Sequence, residues 1–217
     1  MTLELDRPIV LATGNEGKLI EIQKMLSPFP VKIMGLKDFG PIPPVVEDGE
    51  TFEENAYKKA HFTAKMLGFP ALADDSGLMV HALDGAPGVH SARYAGGDAT
   101  DQERNLKLLR AMEGVENRSA AFVCLIAIAV PRGPSLVYEG RCEGLITHKP
   151  KGENGFGYDP LFYYPPLKKT FAEMSLEEKN KISHRGKALA EVKAEFQKIM
   201  TWINQRLSEE PHHNPHI

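Results

Sequence analysis

The sequence predicts an α/β fold in which a mixed central β-sheet is flanked by helices. Three observations carry this reading. Strand-like and helix-like segments alternate from residue 8 to residue 77, two long apolar runs flank the turn residues PRGP, and the chain closes on a helical stripe of apolar residues. Alternation of this kind favours parallel strands with helices packed on them. Two runs joined by a short Pro/Gly turn favour an antiparallel pair. The sheet is therefore expected to be mixed.

The elements follow in order. PIVLAT (8–13) reads as a short buried strand, and a helix from Asn15 to about Ser27 carries Leu19, Ile22 and Leu26 on one face. VKIMGL (31–36) is a second strand and GPIPPVVEDGE a loop. Thr51 and Glu54 stand three apart, the spacing of a capping box that opens a helix to about Leu67. PALADDSG then reads as a strand that ends in paired negative charge, with Asp-Ser-Gly suited to a tight reversal. A long loop, HALDGAPGVHSARYAGGDA, leads to a second box at Thr100 and Glu103, and a helix to about Met112 with Leu106 and Leu109 facing inward. Strands are expected at about 119–130 and 135–146. A loop, HKPKGENGFGYDP, precedes LFYYPP, and a third box is formed by Ser175 and Glu178. After Ser183 one last helix carries Leu189, Val192, Phe196, Ile199, Ile203 and Leu207 at spacings of three and four, as core packing requires.

Length and composition bound the function. The 217 residues are expected to form a single domain over 1–207, with 208–217 a flexible polar tail whose His212, His213 and His216 are read as no metal site. With 42% hydrophobic and 25% charged residues and a formal net charge of −3, the chain presents no overall basic field for nucleic acid. The acids in MTLELDRPIVLATG stand where an export signal needs a basic start, and AAFVCLIAIAV (120–130) is too short to span a bilayer, which needs about 20 residues. A cytoplasmic address is expected. Cys124 and Cys142 lie in the two strand-like runs, where a hairpin brings them near one another; in a reducing compartment both are read as free, buried thiols.

Chemistry is expected where strands end and loops gather. TGNEGK (13–18) leaves the first strand and enters the first helix, with glycines for close approach, outward amides and a lysine, an arrangement suited to phosphate. It is not a Walker A loop, since two residues rather than four separate the glycine from Gly-Lys and leucine follows the lysine. Glu47 precedes the second helix and Lys59 lies two turns into it. A carboxylate there and another in ADDSG make an oxygen site of the kind Mg²⁺ shares with water and phosphate. Taken singly, each feature has a plainer reading: a capping turn, a solvated loop charge, loop aromatics at Phe156 and Tyr158, a surface lysine at Lys179, a helix cap at His184.

Their joint occurrence decides. LATGNEGK, ENAYKKA, ALADDSGL, GAPGVHSARYAG, GENGFGYDPLF and FAEMSLEEKNKISHRGKAL, in that order over residues 8–207, resemble the inosine triphosphate pyrophosphatase family. The resemblance implies a cleft between two lobes, a cytoplasmic homodimer, Mg²⁺ dependence, and hydrolysis of ITP, dITP and XTP to the monophosphate and pyrophosphate. It implies a substrate loop of Thr13, Gly14, Asn15, Glu16, Gly17 and Lys18, with Asp75 as general base, Ser76 as a substrate contact, and Glu47 with Asp75 as metal ligands. It also implies nucleotide contacts from Phe156, Gly157, Tyr158 and Asp159, from Lys179, and from His184 and Arg185. Apolar shape discriminates by only ~1–3 kcal/mol, so base choice should be polar. Arg185 is expected at the carbonyl of the purine six-position, Asp159 or backbone at N1–H, and Phe156 on the ring face. A pyrophosphatase for pyrimidine nucleotides and an inactive nucleotide-binding regulator are the rival readings.

Overall fold

The computed structural model describes residues 7–209. The polar tail with its three histidines, expected from residue 208 onward, lies outside the described residues from position 210.

Seven strands form one sheet in the order β2-β1-β3-β4-β5-β6-β7. β1 (Ile9–Leu11) pairs in parallel with β2 (Ile33–Gly35) on one side and β3 (Ala71–Val80) on the other. From β3 onward every pairing is antiparallel, through β4 (Ser119–Ala129), β5 (Ser135–Ile146), β6 (Phe162–Tyr164) and β7 (Lys169–Thr170). The mixed sheet expected from the sequence is what forms.

Helices cover both faces. On one, α1 (Glu16–Leu26), α5 (His184–Ala194) and α6 (Phe196–Ser208) bury Ile22, Leu189 and Ile203 against Leu11, Leu72 and Ile126. On the other, α2 (Phe52–Leu67) lays a stripe of alanines, Ala56, Ala60 and Ala64, against Val10, Ala73 and Ala127. Small side chains on both partners let the helix lie close to the sheet. A third cluster gathers α3 (Asp101–Ala111) with the far ends of β3, β4 and β5 and with Leu161, Phe162 and Phe171. α4 (Leu176–Ile182) bridges to α5. The cleft lies where the first two clusters meet the third.

Four local expectations are corrected. β3 does not turn at Asp75-Ser76-Gly77; it runs straight through them, paired residue for residue with β4 from Ala71↔Ala129 to Val80↔Ala120. Ten ladder positions outweigh the local turn preference once the two charges find partners. The closing helix breaks at Glu195 (φ −100°, ψ 8°), where its carboxylate accepts the Tyr138 hydroxyl and Phe196 stacks on Phe29 with ring centroids 4.0 Å apart. The apolar stripe continues across the break. On α3 Asn105, Leu108 and Met112 are buried, spaced three and four, and Leu109 packs against the same cluster as expected, while Leu106 is 48% exposed. The Thr100 cap sets that phase, and Leu106 falls about 100° from Asn105 around the helix. At α2, Thr51 accepts the Glu54 amide as expected, but the Glu54 carboxylate accepts from Glu50 N rather than closing the box. The boxes at Thr100/Glu103 and Ser175/Glu178 do close. Cys124 and Cys142 are free and buried, as expected; the register sets Cys142 opposite Phe122 and Cys124 opposite Gly140.

Candidate active site

The site begins with unequal strand lengths. β1 ends at Leu11, opposite Leu72, while β3 continues to Val80. Past that point no strand among the described residues pairs with the β1 side of β3, and its polar residues Asp74, Asp75 and Ser76 fall there. A cleft of about 510 Å³ opens in this notch. The expected placement at the ends of strands therefore holds for the 13–18 loop after β1, whereas the carboxylates sit in mid-strand.

Side chains alternate across a strand, so adjacent carboxylates face opposite ways. Asp74 and Ser76 face α1 and α5. Asp74 Oδ2 accepts from Lys18 Nζ at 3.1 Å, from Arg185 Nε and Nη2 at 3.1 and 3.0 Å, and from Ser76 Oγ at 3.0 Å. Burial drives this carboxyl up, but the Lys18, Arg185 and Lys59 charges prevail and hold it well below the usual carboxylate range. Asp75 faces α2. Its Oδ1 accepts from Lys59 Nζ at 2.9 Å, and the same ammonium donates to Glu47 Oε2 at 3.0 Å and to the Asp74 carbonyl at 2.9 Å. Lys59 thus satisfies a strand-edge carbonyl and ties two acids together. Burial raises the Asp75 carboxyl above its ordinary value, against the pull of Lys59.

Asp75 Oδ2 is buried without a protein partner. Together with Glu47 it gives two carboxylates from separate elements that meet at one ammonium. Among the described residues no group of three or more His, Cys, Asp or Glu is placed to hold a metal. That donor set fits Mg²⁺, which is held by one or two carboxylates plus water and ligand oxygens. It does not fit an all-protein cage.

At the phosphate-suited loop, Asn15 caps α1 by accepting the Lys18 amide at 3.0 Å, and Thr13 Oγ1 accepts Asn15 N at 3.1 Å. Thr13, Gly14, Asn15 and Lys18 line the cleft. Glu16 is exposed and pairs with Lys37 at 2.6 Å, so its carboxylate is not brought to the site. Gly17 has a packing role instead: a Cβ there would come within 2.6 Å of the Phe156 ring.

The other end of the cleft is built from 156–159, Lys179, His184 and Arg185, all lining it. Lys179 Nζ donates to Asp159 Oδ2 at 2.6 Å and to Glu21 Oε1 at 2.9 Å. Arg185 also pairs with Glu21 through Nη1 and bonds Ser76 Oγ at 2.9 Å. Phe156 lies over these cations, with Lys179 Nζ 4.8 Å and Arg185 Cζ 5.7 Å from its ring centroid. Burial, then the Arg185 and Lys179 charges, push the His184 imidazole well below its usual value, so it is neutral and stacks flat on Phe122 at 4.6 Å. The guanidinium expected at a base carbonyl is engaged by Glu21, Asp74 and Ser76 and acts first as an internal strut.

Three participants have no role assigned from the sequence: Asp74, Lys59 and Glu21. Lys59 was located on its helix but given no role. Glu21, only 3% exposed, was missed altogether. Its partners Lys179 and Arg185 lie 158 and 164 residues away along the chain, so no local spacing marks it.

Comparison with known proteins follows the same lines. The model of the Ham1 family matches residues 9–195. A dITP/XTP pyrophosphatase of Syntrophobacter fumaroxidans is 62% identical over 202 residues, covering 93% of this chain and 87% of the relative. Another, from Thermus thermophilus, is 56% identical over 183 residues, covering 83% and 87%. A Ham1 protein structure from Coxiella burnetii superposes with a TM-score of 0.82 at 46% identity, covering 88% of this chain and 99% of that one. The Staphylococcus aureus Ham1 protein gives 0.80 at 41%, covering 89% and 100%.

Proposed function

The chain belongs to the Ham1 family, and on that footing we propose that it hydrolyses deaminated purine nucleoside triphosphates (ITP, dITP and XTP) to the monophosphate and pyrophosphate. Its similarity to proteins named dITP/XTP pyrophosphatases supports the substrate class. The observation that carries the chemistry is Asp75, a buried carboxylate with one oxygen unpartnered, standing between Glu47 with Lys59 and the 13–18 loop.

In this reading the phosphate chain lies along the start of α1, where outward amides and Lys18 meet its oxygens. Asp75 Oδ2 takes the proton of a water as its oxygen attacks the α-phosphorus; the bond from that phosphorus to the bridging oxygen breaks, and pyrophosphate leaves. A raised carboxyl value suits this role, because a base works best when its affinity for the proton is not too low. Lys18 and Lys59 are already paired with carboxylates, so they alone do not neutralise a triphosphate. Mg²⁺ held by Glu47 and Asp75 would supply the missing positive charge and polarise the phosphate oxygens.

The purine lies at the far end against Phe156, with Asp159, Lys179, His184 and Arg185 around it. A site that hydrogen-bonds a polar edge rejects a mismatched base by ~10⁴–10⁵, far beyond what ring shape supplies. Neutral His184 keeps both a donor and an acceptor available there. A cytoplasmic homodimer belongs to the same reading; no helix among the described residues is long and apolar enough to cross a membrane.

The test is pyrophosphate release from ITP, dITP, XTP, GTP, ATP and dUTP, with and without Mg²⁺. Preference for the deaminated purines with metal present is expected. Equal turnover of ATP, or preference for dUTP, would reject the reading.

A further inference from the structure

α3 contributes no residue to the roles above, yet it holds the Phe156 loop by both backbone polar groups of one residue, Gly157. Asp101 Oδ2 accepts Gly157 N at 2.6 Å, and Asn105 Nδ2 donates to Gly157 O at 2.9 Å. The two side chains are four apart, stacked on one face of the helix. Backbone groups of a surface loop ordinarily turn to water. Here both are taken by side chains, and Asn105 is only 7% exposed. Gly157 has φ +62°, a left-handed conformation that the paired bonds hold in place.

The grip continues on either side. The Asp101 carboxylate is itself held by Arg104, which donates to the carbonyls of Ala92 and Ala99. Tyr158, the next residue after Gly157, donates its hydroxyl to Ser91 O at 2.9 Å. Ser91 Oγ in turn accepts Leu78 N from the edge of β3 at 2.9 Å. The loop is thus connected to the strand that bears Asp75. On the other side Phe156 N donates to Asp159 Oδ2 at 3.0 Å, next to Lys179. Phe156 projects into the cleft from a backbone held on both sides, and its ring lies where a Cβ at position 17 would be.

We propose that Asp101 and Asn105 are positioning residues for nucleobase recognition: by clamping the Gly157 peptide they fix the plane and depth of the Phe156 ring on which the purine stacks. The proposal rests on the reading of Phe156 as the base platform. In the proposed reading the phosphate chain and the attacked phosphorus lie against α1, α2 and β3, whereas Asp101 and Asn105 bond the Gly157 backbone. Loss of the clamp therefore weakens nucleotide binding and leaves the chemical step largely intact.

The experiment compares Asp101→Ala and Asn105→Leu, each of which removes one bond to Gly157, with Glu103→Ala. Glu103 caps the same helix through Thr100 and makes no bond to Gly157, so its loss weakens α3 without releasing the loop. Two readouts are used: steady-state kinetics with ITP, and amide hydrogen exchange of the segment 154–160. The clamp variants are expected to raise KM about tenfold, the scale of one lost hydrogen bond, with kcat within about threefold, and to exchange the Gly157 amide faster. Glu103→Ala is expected to lower Tm with KM unchanged. If Glu103→Ala raises KM as much as the clamp variants for an equal loss of Tm, or if exchange at Gly157 in the clamp variants is unchanged, the positioning role is overturned. Should the wild-type protein release no pyrophosphate from ITP, the proposed activity fails separately, and the exchange measurement still decides whether α3 holds the loop.

Discussion

Asp74 and Asp75 are neighbours in sequence that face opposite sides of one strand: Asp74 is bound between Lys18 and Arg185, and Asp75 is joined to Glu47 through Lys59. One carboxylate holds helices to the sheet. Each keeps one oxygen without a protein partner, but of the two only Asp75 lines the cleft. The contrast in their proton affinities, the first driven down and the second up, follows from the number of cations around each.

Asp75→Asn tests the second role. The amide keeps the shape and loses the basic oxygen, so kcat for ITP at saturating Mg²⁺ should fall by ~10²–10⁴, the usual worth of a general base. Tm should change little. A variant that kept most of its turnover would remove Asp75 from the chemistry.

The pH dependence follows from the same group. A base must be unprotonated, so kcat/KM falls as pH drops through the Asp75 value, and that acid limb should lie above the ordinary aspartate value of 3.8. Lys59 favours the charged carboxylate. In Lys59→Met the limb should therefore move to higher pH. A pH–rate profile in which it moved down, or stayed in place, would contradict the assignment.

Asp74 makes a prediction about stability rather than rate. It is 1% exposed, and removing one member of a buried ion cluster costs ~3–5 kcal/mol because the partners are left uncompensated. Asp74→Asn should lose about that much in urea unfolding at pH 7. The folded value lies below the unfolded one, so this stabilisation is complete above pH ~4 and is lost as pH falls further. The gap between wild type and variant should narrow at pH 3; a constant gap would show that Asp74 binds its proton equally in the folded and unfolded protein.

Gly17→Ala separates packing from folding. In a helix the change favours stability by up to about 1 kcal/mol, but the new methyl would meet the Phe156 ring. Tm should hold or rise while KM for ITP increases several-fold. Wild-type KM would mean that Phe156 is free to move away at no cost to binding.

What the sequence made legible was local or motif-bound. The Thr100/Glu103 and Ser175/Glu178 boxes mark where α3 and α4 begin, because capping is decided within four residues. Of the residues assigned through the motifs, all but Glu16 and Gly17 line the cleft. What escaped depends on contacts distant along the chain. Asp-Ser-Gly reads as a turn until Lys18, Lys59 and Arg185 are brought to it, and Glu21 reads as one more surface acid until α4 and α5 deliver Lys179 and Arg185. The break at Glu195 leaves the apolar spacing intact, so no periodicity could reveal it.

Because the two aspartates are sorted by nothing more than strand alternation, their duties depend on counting. Slipping β3 by a single position against β4 would swap them, sending the strut carboxylate toward Lys59 and the basic one into the guanidinium of Arg185. Loops around the cleft can lengthen or shorten, but a deletion or insertion between Ala71 and Ser76 exchanges structure for chemistry at one stroke. The ladder with β4 is what keeps that count.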